Sequence, residues 1–514
     1  MKEFGNEHTD DRSLHGTNRQ IWRLKVKERK RILFLNLPYS LEISRASRWP
    51  EKTKSRTMYY PYWLAYAAGI AEDRGFEVLL VDCIAMSWTP QQTLDIIFDY
   101  QPDLIVGETT TPTLDYDLDF VRKIKRSGFR GRVALGGTHI TVLYEETLNQ
   151  CPELDFALVG EYDYTVPELM EAGDSADVPG AASRKEGRVH FPGRRPVIEN
   201  LDELPFVSKV YRKYLNVNHY FYALARHPMI QILSSRGCPF RCSFCQYPQT
   251  MGGRKYRTRS PENFVAELEY ISKEMPEIQE IFIEDDTFTI DKKRVESICD
   301  LILEKNLKLI WSCNARADVP YHTLEKMKKA GCRLLVVGYE SGNDQILKNI
   351  NKGITLEQSR AFARHTKMLG LKVFGCFIVG LTGETRKTIQ DTFNFARETD
   401  ADMVFFQQAV PFPGTDFFRA CENQDMLRTR DYKEWMNAQG QLACLVDYPE
   451  FSHFELEKIR DRLMSRYYFS FAYLFKTFIK NPNPREIRRI SRAGLGYLQF
   501  RLHHAFSAGS KRAE

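Results

Sequence analysis

Apolar positions along the chain fall into two series of short runs separated by amphipathic stretches. The first series begins at Arg31. Runs at Ile32–Leu37, Val78–Asp82, Leu104–Glu108, Val133–Gly136 and Phe156–Gly160 alternate with stretches of helical period at Tyr62–Arg74, Gln91–Tyr100, Asp117–Ser127 and Tyr144–Gln150. Strands alternating with helices predict an α/β domain over 31–170 built on a doubly wound, Rossmann-like parallel sheet. Such sheets bind ligands beyond the carboxyl ends of their strands, here the loops Asn36–Ser40, Glu108–Thr113, Gly136–His139 and Gly160–Asp163. Residues 171–228 break the rhythm with Gly, Pro and charged clusters and read as a linker. The second series predicts strands at 229–234, 280–284, 308–312, 333–338, 372–379 and 403–408, with helices at 261–274, 292–305, 355–369 and 384–398. Over 229–415 this is a partial (β/α)6 TIM-like barrel, with its reaction site expected at the strand carboxyl ends. Residues 1–30 read as a polar tail, and 416–514 as a helical, aromatic and basic region.

Composition narrows the class. A chain of 514 residues suggests roughly two to four domains, and 43% hydrophobic with 27% charged residues suits globular cores. Lys and Arg number 73 against 67 acidic residues, a net +6 too dilute to imply nucleic acid. The first thirty residues carry no apolar run of the signal-peptide kind. No apolar run approaches the ~20 residues that span a bilayer. A cytoplasmic, reducing location is therefore expected. In that setting the 11 cysteines are not expected to form disulfides. Cys83, Cys151, Cys299, Cys313, Cys332, Cys376, Cys421 and Cys444 stand alone and read as small buried hydrophobes.

The remaining three are clustered in Ser235-Arg-Gly-Cys238-Pro-Phe-Arg-Cys242-Ser-Phe-Cys245, directly after the first strand of the second series. Three thiolates on one short loop suit a 4Fe–4S cluster with one iron left open. A structural zinc would need a fourth ligand, and the next histidines, His227 and His322, are not beside the loop.

On this motif residues 229–410 resemble the radical S-adenosylmethionine (SAM) superfamily. The resemblance implies that Cys238, Cys242 and Cys245 hold the cluster, that SAM chelates the open iron, and that reduction cleaves SAM to a 5′-deoxyadenosyl radical. Phe244 would lie beside the adenine. Val337-Gly-Tyr-Glu340-Ser341-Gly342 resembles the segment contacting the SAM ribose and methionine, and Gly375-Cys-Phe-Ile-Val-Gly380 the element flanking adenine. Glu284-Asp285-Asp286 ends the second strand, where family members carry SAM-facing acids; Asp285 represents this group, and a magnesium site is the rival reading. Arg316, near Asp318, offers a planar fork for the SAM carboxylate, or is a surface charge.

The first domain resembles the cobalamin-binding domain that precedes many radical SAM domains, on its sheet pattern, on Gly136-Gly137-Thr138-His139 and on Val159-Gly160-Glu161. The resemblance implies cobalamin contacts from Thr109, Thr110, Gly136, Gly137, His139, Gly160 and Glu161. The D-x-H-x-x-G signature of cobalt-ligating histidine is missing: His139 has neither the Asp nor the Gly at the required spacing.

Together these imply a cobalamin-dependent radical SAM enzyme, foremost a methyltransferase acting on an unactivated carbon of a hydrophobic or natural-product-like substrate. The rival is an oxidative cyclase of the anaerobic Mg-protoporphyrin ester type. A tRNA methylthiotransferase would carry three further cysteine ligands in the first domain, which has only Cys83 and Cys151. A non-catalytic cobalamin sensor would not need the cysteine loop. The family implies an electron donor such as flavodoxin or ferredoxin. The aromatic stretch Arg466–Lys476, followed by Arg485, Arg488, Arg489, Arg492 and Lys511, reads as a terminal helix packed on the barrel or as a peripheral membrane contact for a lipid-like substrate.

Overall fold

A computed structural model describes residues 29–53, 55–173 and 177–476. The front sheet has seven strands: β1 (Arg31–Asn36), β2 (Glu77–Asp82), β3 (Leu104–Glu108), β4 (Arg132–Gly136), β5 (Phe156–Leu158), β6 (Ala181–Lys185) and β7 (Arg188–His190), in the order β2-β1-β3-β4-β5-β6-β7. The first five are parallel and the last two antiparallel. The stretch read as a linker therefore starts with a hairpin that extends the front sheet. Its strands, Ala181–Lys185 and Arg188–His190, are too polar to stand out as apolar runs.

The second unit starts with β8 (Met229–Ile232) and a two-residue ribbon, β9 (Ser235–Arg236) with β10 (Arg257–Thr258). Then come β11 (Glu280–Ile283), β12 (Trp311–Ala315), β13 (Cys332–Glu340), β14 (Lys372–Val379) and β15 (Met403–Gln408). Six parallel strands in the order β15-β14-β13-β12-β11-β8 make the partial barrel. The third barrel strand lies three residues later than its apolar pattern suggests. Its buried Ser312 alternates with buried Trp311 and Cys313, so burial does not follow hydropathy there.

One helix joins the two units. Tyr62–Ala71 is buried along its whole length, because it lies between the front sheet and the barrel rather than on a surface. A helix that is apolar all round belongs in such a place. The helix predicted from Tyr144 starts at Thr138, with Leu143 (φ −118°) breaking it in the middle, which puts His139 in its first turn. The carboxyl ends of both sheets face the seam between the units. The chain after β15 crosses back to the front unit, where Gly440 accepts from Lys52 N–H (2.6 Å) and the Tyr432 ring packs edge-on against His139 (4.9 Å).

The helices His453–Tyr468 and Phe471–Phe475 pack on the barrel, with the Tyr468 hydroxyl donating to Val404 O (2.6 Å). Phe469, Phe471 and Phe475 remain exposed. Arg485, Arg488, Arg489, Arg492 and Lys511 lie outside the described residues. Among the described residues, no helix is long and apolar enough to cross a membrane.

Candidate active site at the seam between the two units

The cysteine loop leaves β8 under tight control. Asp285 accepts hydrogen bonds from the backbone N–H of Ser234 (2.6 Å) and Ser235 (3.1 Å) and from both their hydroxyls (2.5 and 2.6 Å). Gly237 follows with φ +81°, and a Cβ there would stand 2.3 Å from Lys255 O, so only glycine fits. Cys238 N–H donates to Gly253 O (3.2 Å), and Gln249 Nε2 donates to Cys245 O (2.8 Å) and Ser243 O (3.1 Å). A loop with its main chain committed in this way presents its side chains in a fixed arrangement.

The three thiols face one common space. Burial raises the Cys238 thiol to about 11, assisted by Asp286 and Cys242. Burial also drives Cys245 well up, with Cys242, Asp286 and Cys238 adding to it and Arg48 opposing. Metal binding must displace these protons. Among the described residues, no three His, Cys, Asp or Glu side chains close round a single-ion position. The mutual influence of the three thiols places them near one another, as the ligands of one cluster must be.

Around the loop, the residues expected to face SAM are already engaged with protein partners. Asp285 is committed to the two serines. Arg316 donates to Lys352 O (3.0 Å) and Gly353 O (3.3 Å), pairs with Asp318 (3.3 Å), and lies 3.5 Å from the Phe240 ring centroid; it is buried, not a surface charge. Its guanidinium braces the cysteine loop from outside. Ser341 bonds Thr392 (3.1 Å) and accepts from Asn343 N–H (3.2 Å). Gly380 has φ +84°, its N–H donates to the Glu384 carboxylate, and its carbonyl accepts from the Tyr448 hydroxyl. Glu340 ends β13 at φ +65°, an uncommon conformation for a side-chain-bearing residue. It folds back over Gly338, where a Cβ would stand 2.2 Å from its Oε1, and takes a 2.6 Å bond from Lys352 Nζ. Phe244 is half-buried and lines the crevice beside Cys245.

Sequence reasoning missed two cations here. Lys352 had no motif. Arg48 belongs to the front unit yet reaches the barrel mouth, donating to Glu284 Oε1 (2.5 Å), Asp285 O (3.1 Å) and Asp286 Oδ1 (3.3 Å). Arg48 and Trp49 join Phe244, Tyr247, Val410 and Phe412 around a narrow crevice of about 20 Å3 whose exposed lining is mostly apolar.

On the front unit, Thr109 and Thr113 donate to Asp117 (2.6 and 2.7 Å), which also pairs with the buried Arg45. Thr110 bonds Thr113 (3.1 Å). This network shapes the loop after β3. Gly136 admits the Tyr162 ring, 2.8 Å from where a Cβ would be. Gly137 (φ +117°) lies where a Cβ would be 2.2 Å from Thr109 O. His139 is buried, its Nδ1 bonds the Thr111 hydroxyl (3.1 Å), and desolvation lowers it to about 3, so it is neutral. Gly160 N–H donates to Thr141 (3.0 Å). Glu161 does not face an open ligand space: Arg257 takes both its oxygens (2.9 and 2.6 Å). Glu108, at the end of β3, was missed. It is buried next to Tyr162 and Tyr247, and desolvation raises it to about 8 against an opposing pull from Arg45. The Tyr162 hydroxyl is buried without a partner. The two glycines serve packing within the unit, while an orphaned hydroxyl beside a buried carboxyl group fits a ligand rich in amides, as cobalamin is.

Family comparisons agree with this geometry. Residues 232–396 match the radical SAM superfamily and residues 52–170 match the B12 binding domain. An uncharacterized methyltransferase of Pyrococcus horikoshii is 32% identical over 427 residues, spanning 82% of this chain and 89% of that protein. The chain is a cobalamin-binding radical SAM enzyme. Its family uses a 4Fe–4S cluster, SAM and cobalamin, and needs a reductant. The anaerobic magnesium-protoporphyrin IX monomethyl ester cyclase of Rubrivivax gelatinosus is 28% identical over 475 residues, covering 89% of this chain and 80% of the cyclase. Among solved structures, the cobalamin-dependent SAM radical enzyme OxsB superposes with a TM-score of 0.66 at 18% identity, covering 93% of this chain and 72% of OxsB. The radical SAM methyltransferase TsrM from Kitasatospora setae gives 0.64 at 18% identity, covering 78% and 76%. At that identity these two speak to the fold of this radical SAM enzyme.

Proposed function

We propose that this enzyme methylates an unactivated carbon of a small, largely apolar substrate held in the crevice between its two units. The observation that carries the reading is the crevice itself. Cys245 and Phe244 of the cysteine loop, Arg48 and Trp49 of the front unit, and Val410 and Phe412 of the barrel meet around one apolar space. Radical chemistry addresses a carbon with no polar handle, and a dry pocket suits such a substrate. Names borne by relatives support methylation: the Pyrococcus protein above, a cytidylyl-2-hydroxyethylphosphonate methyltransferase of Streptomyces wedmorensis and two bacteriochlorophyllide methyltransferases of Chlorobaculum tepidum.

In this reading the domains divide the labour near residues 31–170 and 229–415. Cys238, Cys242 and Cys245 hold the cluster, and Phe244 and the Glu340–Lys352 pair border SAM. The loops at Glu108–Thr113 and Gly136–His139 border cobalamin. When bound, the cluster with SAM supplies the radical and cobalamin the methyl group. The chain's own residues keep water out, through Trp49, Tyr247, Val410 and Phe412, and set the charge at the mouth. There Arg48 faces two carboxylates, leaving negative charge beside the place for a sulfonium cofactor. A flavodoxin or ferredoxin would supply electrons. The exposed Phe469, Phe471 and Phe475 favour a peripheral contact with a membrane or a lipid-like substrate.

The deciding experiment reconstitutes the protein anaerobically with iron, sulfide and hydroxocobalamin and adds SAM labelled in its methyl carbon. Formation of 5′-deoxyadenosine together with label in a C-methylated product is expected from a panel of apolar natural products. Iron and cobalamin retained without any SAM cleavage would sink the proposal. The second reading, ring-forming oxidation, is favoured by the cyclase match over most of the chain. It predicts turnover of a porphyrin methyl ester with no label incorporated.

A further inference from the structure

The ribbon that carries the cysteine loop is electrostatically incomplete. β9 and β10 pair antiparallel over two residues each, and Arg236 and Arg257 are direct partners in that register. Like charges directly opposite one another destabilise a ribbon, and a two-stranded ribbon this short does not hold itself together. The compensation comes from the other unit. Asp163 accepts both arms of Arg236 (2.9 and 2.9 Å), and Glu161 accepts both arms of Arg257 (2.9 and 2.6 Å). Arg236 also lies 3.8 Å from Glu161, which links the two pairs into a quartet with no net charge. All four side chains are 1–2% exposed. Trp63 and Tyr66, from the helix between the units, flank the Arg236 guanidinium at 4.7 and 5.0 Å.

We propose that Asp163 and Glu161 are positioning residues for the cluster. Acting through Arg236 and Arg257, they fix where Cys238 stands, and they link ligand occupancy of the front unit to the environment of the cluster. The mechanical path is short. Arg236 is followed by Gly237, which has no slack against Lys255 O, and then by Cys238, whose N–H is bonded to Gly253 O. Arg257 also donates to Gly252 O (2.8 Å). Movement of either arginine is thus passed to the loop through main-chain bonds. At the other end, Glu161 directly follows Gly160 after the carboxyl end of β5, with Asp163 two residues on, within the B12-binding match. Although neither carboxylate faces open ligand space, a ligand bound against Gly160 and its neighbouring loops would reach the quartet through this stretch of main chain. Coupling of this kind is reciprocal: a ligand that changes the reduction of the cluster must itself bind the oxidised and reduced protein differently, by the same factor.

The identity of the two cofactors in this inference rests on the family reading above; the reaction does not enter. The test uses full-length protein, anaerobically reconstituted, and measures iron content, the electron paramagnetic resonance signal of the reduced cluster and its midpoint potential, with and without hydroxocobalamin. In the wild type, cobalamin should shift the potential; a tenfold affinity ratio between redox states corresponds to about 59 mV. Asp163→Asn should keep its iron, alter the cluster signal and lose the shift, and Asp163→Glu should restore both. Because a lone buried guanidinium can prevent folding, the apolar pair Arg236→Met with Asp163→Leu is made in parallel; replacing both partners is often neutral for stability. That double variant should melt cooperatively, like the wild type, and still lack the shift. A wild type without any cobalamin-dependent shift, or either variant retaining a wild-type signal and shift, would overturn the proposal. A wild type that holds no iron at all would instead overturn the functional reading.

Discussion

The two units are joined by ion pairs of opposite design. In one, Arg236 and Arg257 of the barrel meet Asp163 and Glu161 of the front unit; charges balance and every side chain is out of water. In the other, Arg48 of the front unit meets Glu284 and Asp286 of the barrel; one cation faces two carboxylates, and the Arg48 side chain is 24% exposed. A buried pair must balance, since an unpaired charge in a dry place costs several kcal/mol. A set whose cation reaches water, and whose carboxyls are raised by burial and can hold protons, does not have to. Its Arg48 lines the crevice next to Cys245. On the function proposed above, the balanced seam would serve construction and the unbalanced one binding. The same residue types do both, and local stoichiometry tells them apart.

The largest effect expected is loss of the cluster. Cys238, Cys242 and Cys245 changed together to Ala should abolish iron binding, measured by iron content after reconstitution. The buried quartet does not depend on those thiols, so the triple variant should remain folded by circular dichroism. Collapse of the fold would mean the balanced seam is not self-sufficient.

Next comes the quartet itself. Glu161→Ala leaves Arg257 buried without its carboxylate and should cost roughly 3–5 kcal/mol in denaturant unfolding. Arg48→Ala should cost less, about 1–2 kcal/mol, because Arg48 is itself partly solvated and burial already raises the two carboxyls it leaves, which can take up protons. If the two variants were equally destabilised, the distinction between the seams would fail.

A third type of seam residue sharpens the comparison. Glu108 is buried with no guanidinium bonded to it, and burial raises it to about 8. A carboxyl raised in the folded state binds its proton more tightly there than in the unfolded chain. Its contribution is therefore full below the unfolded value, near 4.5, and is lost as the pH rises toward 8. Stability should fall across that window, and Glu108→Gln should flatten part of the fall. Glu384, also raised to about 8 by burial, contributes a similar slope that the variant leaves in place. Melting curves at intervals from pH 5 to about 8 would read this; parallel slopes in both proteins would remove Glu108 from the account.

Much of this was legible in the sequence, because hydrophobic period and cysteine spacing are local signals. The two strand–helix series, the loop Cys238–Cys245 and its place after β8 all follow from residues near each other in the chain. What was not legible is pairing across the seam. Arg48 and Glu284 are 236 positions apart, and Glu161 and Arg257 are 96. No spacing rule reaches so far, so Glu161 was read as facing cobalamin when its carboxylate is committed to an arginine. The engagement of Asp285 with the two serines was illegible for a different reason. Three adjacent acids look alike in sequence, and only the backbone of Ser234 and Ser235 shows which one turns inward. The polar hairpin Ala181–Lys185 and Arg188–His190 was invisible because an edge hairpin needs little apolar surface.

The smallest effect expected concerns Glu340, which combines the two seam designs within one residue pair. It is bound to Lys352 at 2.6 Å, and the two side chains are 9% and 8% exposed, so the pair is nearly as dry as the quartet. Yet it stands at the barrel mouth, at the end of β13, where the Lys352 amine also senses Cys242. If the pair were only structural, Glu340→Gln would lower stability and leave SAM affinity alone. If its second carboxylate oxygen receives a hydrogen bond from SAM, the variant should weaken SAM about tenfold, roughly 1.4 kcal/mol, with iron content unchanged. Lys352→Met separates the cases further. It frees the carboxylate of its partner, so a SAM-binding Glu340 would then hold the cationic cofactor at least as well as in the wild type. Calorimetric titration of SAM into the three reconstituted proteins gives the answer, and equal affinity in all three would place Glu340 with the balanced, constructional pairs.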